Sequence, residues 1–526
     1  MAKIISAQAA AALIPDRAAV ALGGFGAYGG PDALLEALGR RYKETSHPSN
    51  LTIVTGVCTG DNKQSELGMN RIAKEGLIDT IIAAHLGNSP RISEMAASNQ
   101  VAAYLLPLGV VVNMFRAIAG KKAGILTHVG LNTFADPRLS GCKVNERAQQ
   151  SDRSVVEVVD LDGKEQLFYP AFHLDFCLIR GTYADEDGNI SVEKEGIICS
   201  ELEIAAAVHN SGGIVVVQVE DVVQSGTIHP RKVRIHSSLV DYVVKAPSAE
   251  LHRQNYADSP YDPSLTGEIR RPAGNIPPMP MGIRKVIARR GAMELKPNCV
   301  INLGIGIPSG VGPVANEEGL AALTTLSLES GPIGGVPLEG VGFAGAMNPE
   351  SVNSICDTFD LYDGGYLDMT CLGAAEIDRY GNVNVSKFGP RCPGPGGFIN
   401  ISQNTPKVCF MGAFTAGKSL ITVEGGRLNI LQDGPGKKFI DHVQQVTFSA
   451  EYANRVGQTV LYITERAVFT LTPEGIMLTE IAPGVDLERD ILAHMEFQPI
   501  ISDGLKQMDP RIFKEGKMGI LFHADG

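Results

Sequence analysis

The sequence predicts an α/β protein made of two related open α/β domains fused in one chain. Three observations carry this. Short apolar runs alternate with helical segments, the pattern of a parallel sheet with crossover helices. The second half repeats motifs of the first in the same order. A proline-rich window separates the halves. A duplicated pair of this kind makes a cleft between its members, a common place for a ligand.

In the first half, Ala18 to Leu22 reads as a strand. Gly23-Gly24-Phe25-Gly26-Ala27-Tyr28-Gly29-Gly30 follows, and Pro31-Asp32 opens a helix over Ala33 to Arg41. Strand, glycine loop and helix can hold a phosphate at the helix N-terminus, so a dinucleotide site is one reading. No acidic residue stands after a second strand at the spacing that site needs. Strands are then expected at Leu51 to Val57, Thr80 to Ala84 and Val101 to Leu106, with helices at Arg71 to Glu75 and Asn113 to Ala119. Phe176 to Arg180 and Ile214 to Val219 read as buried strands flanking a helix at Ile204 to His209.

Between Pro247 and Pro280 lie seven prolines, with Tyr256, Asp258, Asp262 and Gly267 among them. Proline lacks the backbone donor and resists regular structure. The expected organisation is an N-terminal domain over 1–246, a linker or surface wrap over 247–281, and a C-terminal domain over 282–526 that opens with a helix at Gly282 to Glu294. The repeat is clearest where Asp185-Glu186-Asp187-Gly188-Asn189 matches Asp378-Arg379-Tyr380-Gly381-Asn382. Each reads as a tight turn entering a strand, with Asn and Gly supplying positive φ. Val20 to Gly26 likewise resembles Val300 to Gly306.

In the second half, the apolar run Leu320 to Leu328 reads as a short buried strand, and Glu329 stands at its end. Gly331, Pro332, Gly334 and Gly335 follow. A carboxylate where strand meets loop lies where parallel sheets place ligands, and glycines beside it let backbone N–H groups approach. Lys437 and Lys438 read as solvent-facing, and Asp486 as the cap of a helix start.

The net charge of −12 argues against a nucleic-acid role, which needs a basic face. The chain has nine cysteines, none in a CxxC pair and none at zinc spacing with histidine, so no metal is expected. Scattered thiols in odd number point to a reducing, cytoplasmic home. No apolar run reaches the roughly 20 residues that span a bilayer.

Three stretches together resemble the family I coenzyme A transferases, closest to the bacterial short-chain (propionate and acetate) enzymes. They are Ser327 to Gly335, Gly394-Pro395-Gly396-Gly397-Phe398-Ile399-Asn400 running on to Asn404, and Tyr462 to Phe469 continuing through Ile481 to Asp486. The resemblance implies a CoA-transferase-like fold with its active site between the domains and Glu329 as nucleophile. It implies ping-pong transfer of CoA from a short-chain acyl-CoA to a free carboxylate through a glutamyl–CoA thioester. Gly394, Gly396, Gly397 and Gly331 are then candidates for oxyanion stabilisation and CoA binding. CoA is substrate and covalent intermediate, with no permanently bound cofactor, and the expected assembly is a homo-oligomer.

Two positions depart from the family pattern. Leu108 in Leu106-Pro107-Leu108-Gly109 stands where similar enzymes carry glutamine, and Leu86 where they tend to carry tryptophan. Both are expected to alter the acyl pocket. Lys387 and Arg391 flank the glycine loop, either as solvated charges or as partners of CoA phosphates. The alternatives are a thioester hydrolase on the same scaffold, a non-catalytic sensor or assembly protein, and a nicotinamide dehydrogenase.

Overall fold

The alternating apolar runs of the first half assemble into one sheet whose neighbours are all parallel. Its strands are β1 (Lys3–Ile4), β2 (Ala19–Leu22), β3 (Leu51–Val54), β4 (Ile78–Ala83), β5 (Ala102–Leu105), β6 (Phe176–Arg180), β7 (Ile214–Val219) and β8 (Tyr242–Lys245). Their order is β1-β8-β7-β6-β2-β3-β4-β5. Strands β5 and β6 are buried along their whole length, as expected where helices cover both faces of a parallel sheet. Among those helices are α1 (Asp32–Thr45), α2 (Pro90–Ala97), α3 (Leu108–Ala119) and α4 (Glu201–Asn210). Proline precedes α1 and α3 and begins α2, where its missing N–H costs nothing.

The computed structural model describes residues 2–257, 259–272 and 278–520. Asp258 and residues 273–277 of the proline-rich window lie outside them. Two compact units are present. The first comprises Met1–Arg271, Glu329–Asp360 and Ser386–Asn400, and the second Pro272–Leu328, Leu361–Val385 and Ile401–Gly526. The units therefore do not follow the two halves of the chain, because two segments of the second half pack into the first unit. The proline-rich window is not a free linker up to Arg271 either. Tyr256 is buried and donates its hydroxyl to Asp32 Oδ2 at 2.8 Å, and Leu265 is buried as well. This part is a wrap on the first unit.

In the second unit the sheet is mixed. Its strands are β9 (Val300–Leu303), β10 (Thr325–Leu326), β11 (Met369–Gly373), β12 (Lys407–Met411), β13 (Thr459–Ile463), β14 (Ala467–Thr472), β15 (Gly475–Ile481) and β16 (Ile500–Gln507). The order β10-β9-β11-β12-β13 is parallel, β13-β14-β15 is antiparallel, and β16 returns parallel to β15. The expected strand from Leu320 to Leu328 shrinks to the two residues of β10. Gly319 ends the preceding helix at φ +80°, and Ala321–Leu323 then form an exposed 3-10 turn. The expected helix at Arg71 to Glu75 is likewise a 3-10 turn, Gly68–Ile72.

The repeated turn has one geometry in both units. Asn189 donates its backbone N–H to Asp185 Oδ1 at 2.9 Å and its amide to Oδ2 at 3.0 Å. Asn382 and Asp378 repeat both distances. Each asparagine also accepts a distant backbone N–H, from Ser237 at 3.0 Å and from Ala450 at 2.9 Å. Only the glycines take positive φ, +96° at Gly188 and +94° at Gly381. Asparagine is there for its amide, not for its backbone. Asp486 caps its helix start through the Arg489 N–H at 2.8 Å. Lys438, by contrast, turns inward to donate to Ala374 O at 3.3 Å, and burial lowers its pKa.

Candidate active site

Glu329 stands three residues beyond the second unit's edge strand β10, and it is the first residue of a segment that belongs to the first unit. So do Gly331, Gly394, Gly396, Gly397, Leu86 and Leu108. The expected site residues thus fall in one compact unit rather than being divided between two. Glu329 keeps some solvent contact but is crowded by protein atoms, and this burial pushes its carboxyl up to about 7. Among the described residues no hydrogen bond or ion pair reaches the carboxylate. A buried carboxylate without compensation is a reactive group held ready, or a liability without use.

Its nearest wall is the glycine loop. A Cβ on Gly397 would lie 2.0 Å from Glu329 Oε2 and 3.0 Å from Phe359 Cζ, so a side chain there would push the carboxylate aside. The loop is laced to the carboxyl ends of β4 and β5. Leu86 N donates to Pro393 O at 2.7 Å, Leu108 N to Gly396 O at 3.0 Å, and Gly396 N to Ala84 O at 3.0 Å. Gly394 adopts φ +95° with Ala84 O 2.3 Å from where its Cβ would be. Parallel sheets place ligands at these strand ends.

These bonds correct part of the expected oxyanion site. The Gly396 N–H is already committed to Ala84, so it has no donor to offer. The Gly397 N–H donates to no described group, and its residue packs against the carboxylate. Gly331 serves the backbone path. It holds φ +122°, a Cβ there would lie 2.2 Å from Asn353 O, and Asn353 N donates to Gly331 O at 3.0 Å.

Leu86 and Leu108 have no exposed surface. A methyl of Leu108 lies 3.1 Å from where a Gly56 Cβ would be. Both leucines hold the glycine loop through their backbones, and neither side chain lines an open pocket. An open cavity of about 720 Å³ lies beside the loop, lined by Gly87, Pro90, Glu94, Phe388, Arg391 and Pro393 among others. That volume is within the range of small-molecule sites.

Three further residues shape the site. Phe359 lies between the positions of Gly109 and Gly397. Asn400 accepts the Gly109 N–H at 3.0 Å. His85 donates to the Gly394 carbonyl, while burial lowers its pKa overall. Asn400 belongs to the glycine motif and was legible there, whereas nothing local marks Phe359.

Protein groups occupy the helix start that follows the first glycine loop. At the start of α1, the N–H groups of Ala33 and Leu34 both donate to Gln218 Oε1, at 2.9 and 3.3 Å. The buried Asp32 carboxylate occupies the same end, bound by Gly68 N, Arg71 Nε and Tyr256 OH. At the helix start an incoming phosphate would meet a carboxylate, with the Ala33 and Leu34 N–H groups already bonded, which argues against the dinucleotide reading. Among the described residues no three His, Cys, Asp or Glu side chains are grouped to hold a metal ion. No helix among them is long and apolar enough to cross a membrane.

Comparison with known proteins agrees with the motifs. The family model described as coenzyme A transferase matches residues 4–246. Caffeate CoA-transferase of Acetobacterium woodii is 45% identical over 520 residues, covering 98% of each chain. Acetate CoA-transferase YdiF of Escherichia coli K12 is 42% identical over 521 residues, covering 98% of this chain and 96% of that one. Among solved structures, a thioester complex with CoA of the E. coli O157:H7 acyl-CoA transferase YdiF aligns with a TM-score of 0.92 at 40% identity, over 99% of this chain and 98% of that one. Its apoenzyme aligns with a TM-score of 0.93 at 41% identity and the same coverage. The protein is therefore a CoA-transferase, and its chain belongs to the coenzyme A transferase family.

Proposed function

We propose that the chain transfers CoA reversibly between a short-chain acyl-CoA and a free carboxylate of the acetate or propionate type, with Glu329 as the covalent carrier. The Glu329 carboxylate attacks the donor thioester carbonyl, and the tetrahedral intermediate expels CoA as thiolate, leaving a mixed anhydride. The thiolate then attacks the glutamyl carbonyl, giving a glutamyl–CoA thioester and releasing the donor acid. The acceptor carboxylate runs the same steps backwards. Covalent catalysis divides one hard transfer into two half-reactions, with ping-pong kinetics as its signature.

The observation that carries this reading is the pairing of Glu329 with Gly397. A carboxylate with no described partner packs against the Cα of Gly397, whose backbone N–H donates to no described group. Such a donor stabilises the oxyanion of each tetrahedral intermediate, and losing one typically costs roughly 10²–10³ in rate. Burial raises the energy of the ionised carboxylate and so its basicity as a nucleophile. CoA enters as substrate and needs no resident cofactor. Nine free, buried cysteines suit a reducing cytoplasm, where we place the enzyme as a homo-oligomer.

Intact mass after incubation with acyl-CoA tests the mechanism. A gain equal to CoA less water, absent in Glu329→Gln, is expected. Turnover in wild type with no such adduct and no loss of activity in Glu329→Gln would overturn it.

A further inference from the structure

We infer that Ser330 and Tyr28 are positioning residues for the Glu329 carboxylate, acting through a strained turn at Ala344. The inference rests on Glu329 being the covalent carrier. Since Glu329 has no side-chain partner among the described residues, its direction is set by the backbone that carries it. The question is what holds that backbone.

After Glu329-Ser330 the chain makes a two-tiered hairpin. Pro332–Ile333 pair antiparallel with Ser351–Val352, and Val336–Pro337 with Ala346–Met347. The tip is closed by Leu338 N donating to Gly345 O at 2.9 Å. This tip folds back over its own root. Ser330 Oγ donates to Ala344 O at 2.5 Å, with both residues buried. From the other side Tyr28, also buried, donates its hydroxyl to Gly342 O at 2.7 Å. Gly345 has to be glycine here, because its Cβ would lie 2.3 Å from that hydroxyl.

Ala344 sits at φ +90°. An alanine in that region is strained, and such a residue persists only when its surroundings over-determine it. The surroundings do so. Asn348 N donates to Ser264 O at 2.9 Å, and the Asn348 side chain accepts Arg271 N at 2.9 Å and donates to Arg271 O at 2.8 Å. Glu350 N donates to Ile333 O at 2.8 Å. With the arms fixed, the Ala344 carbonyl becomes a rigid acceptor aimed at Ser330, one residue from the carboxylate. Tyr28 lies in the first glycine loop, which thereby gains a role as the hairpin's anchor.

The test uses the full chain with Ser330→Ala and Tyr28→Phe, each removing one hydroxyl. Steady-state kinetics and rapid-quench intact mass are read together. The expected result is a kcat reduced about 10- to 100-fold, the cost of a carboxylate displaced from its attack geometry. KM for acyl-CoA should stay within about twofold, and the adduct should still form on Glu329, only more slowly. Loss of fold alone would instead lower the active fraction without changing the rate of adduct formation in the molecules that react. Tyr28→Phe keeps the ring's packing, so it decides the matter if Ser330→Ala is unstable. Adduct formation at the wild-type rate in Tyr28→Phe overturns the inference while leaving Glu329 as carrier. A wild-type enzyme that turns over without an adduct on Glu329 overturns both.

Discussion

Replacing Glu329 by glutamine keeps the shape of the side chain and removes its charge, which separates what the residue does for the reaction from what it costs the fold. In the folded chain, burial moves its carboxyl from the ordinary 4.5 up to about 7. Between those two values the native state binds more protons than the unfolded state, so stability falls as pH rises through the interval. The full displacement sets a ceiling of about 3 kcal/mol. Because Glu329 keeps partial solvent contact, screening reduces the expected cost to about 1–2 kcal/mol. Glutamine carries no charge at any pH and escapes it. Paired urea unfolding of wild type and Glu329→Gln should therefore give equal stabilities near pH 4.5. The curves should diverge through pH 7, with the inactive variant more stable by about 1–2 kcal/mol at pH 8.5. The activity of wild type should rise over the same interval, as the carboxylate forms. A difference that is constant with pH, or a wild type that becomes the more stable partner at high pH, would refute the claim that an uncompensated buried charge resides at Glu329.

Two neighbouring glycines should respond in opposite ways to one methyl group. Gly397→Ala places a methyl 2.0 Å from Glu329 Oε2 and should lower kcat more than about 100-fold with the fold retained. Gly396→Ala meets nothing within 4 Å and keeps its bond to Ala84. Its φ of +52° makes the substitution cost about 1 kcal/mol of stability, and kcat should stay within about threefold. The reverse ranking in a kinetic assay would show that the loop is misassigned. Leu108→Gln should lower stability by about 1–3 kcal/mol, since it buries an amide in a fully enclosed apolar position. No rate gain should accompany it, and a tenfold gain with any donor acid would show that a side-chain amide at this position serves the reaction.

What could be read from the sequence was what local chemistry dictates. Phe176–Arg180 and Ile214–Val219 are strands over the very residues expected, because continuous Val/Ile/Leu runs of that length suit a strand buried on both faces. The Asp-x-x-Gly-Asn turn closes on itself, so its duplication was visible without any long-range contact. Leu320 to Leu328 misled for the opposite reason. Its composition suits a strand, but it lies at a sheet edge with a single neighbouring strand, so most of it has no ladder to join. The glycine loop marks the limit most clearly. Gly396 and Gly397 are adjacent and chemically identical, and the motif offered both as donors. One N–H is held by Ala84, far away in sequence, while its neighbour's donates to no described group and its Cα packs against Glu329. A glycine can be required for its φ, for the space its missing side chain leaves, or for its N–H, and the letter in the sequence is the same for all three. Which one applies is decided by the atom on the other side, and at this loop those atoms come from Ala84, Phe359 and Glu329.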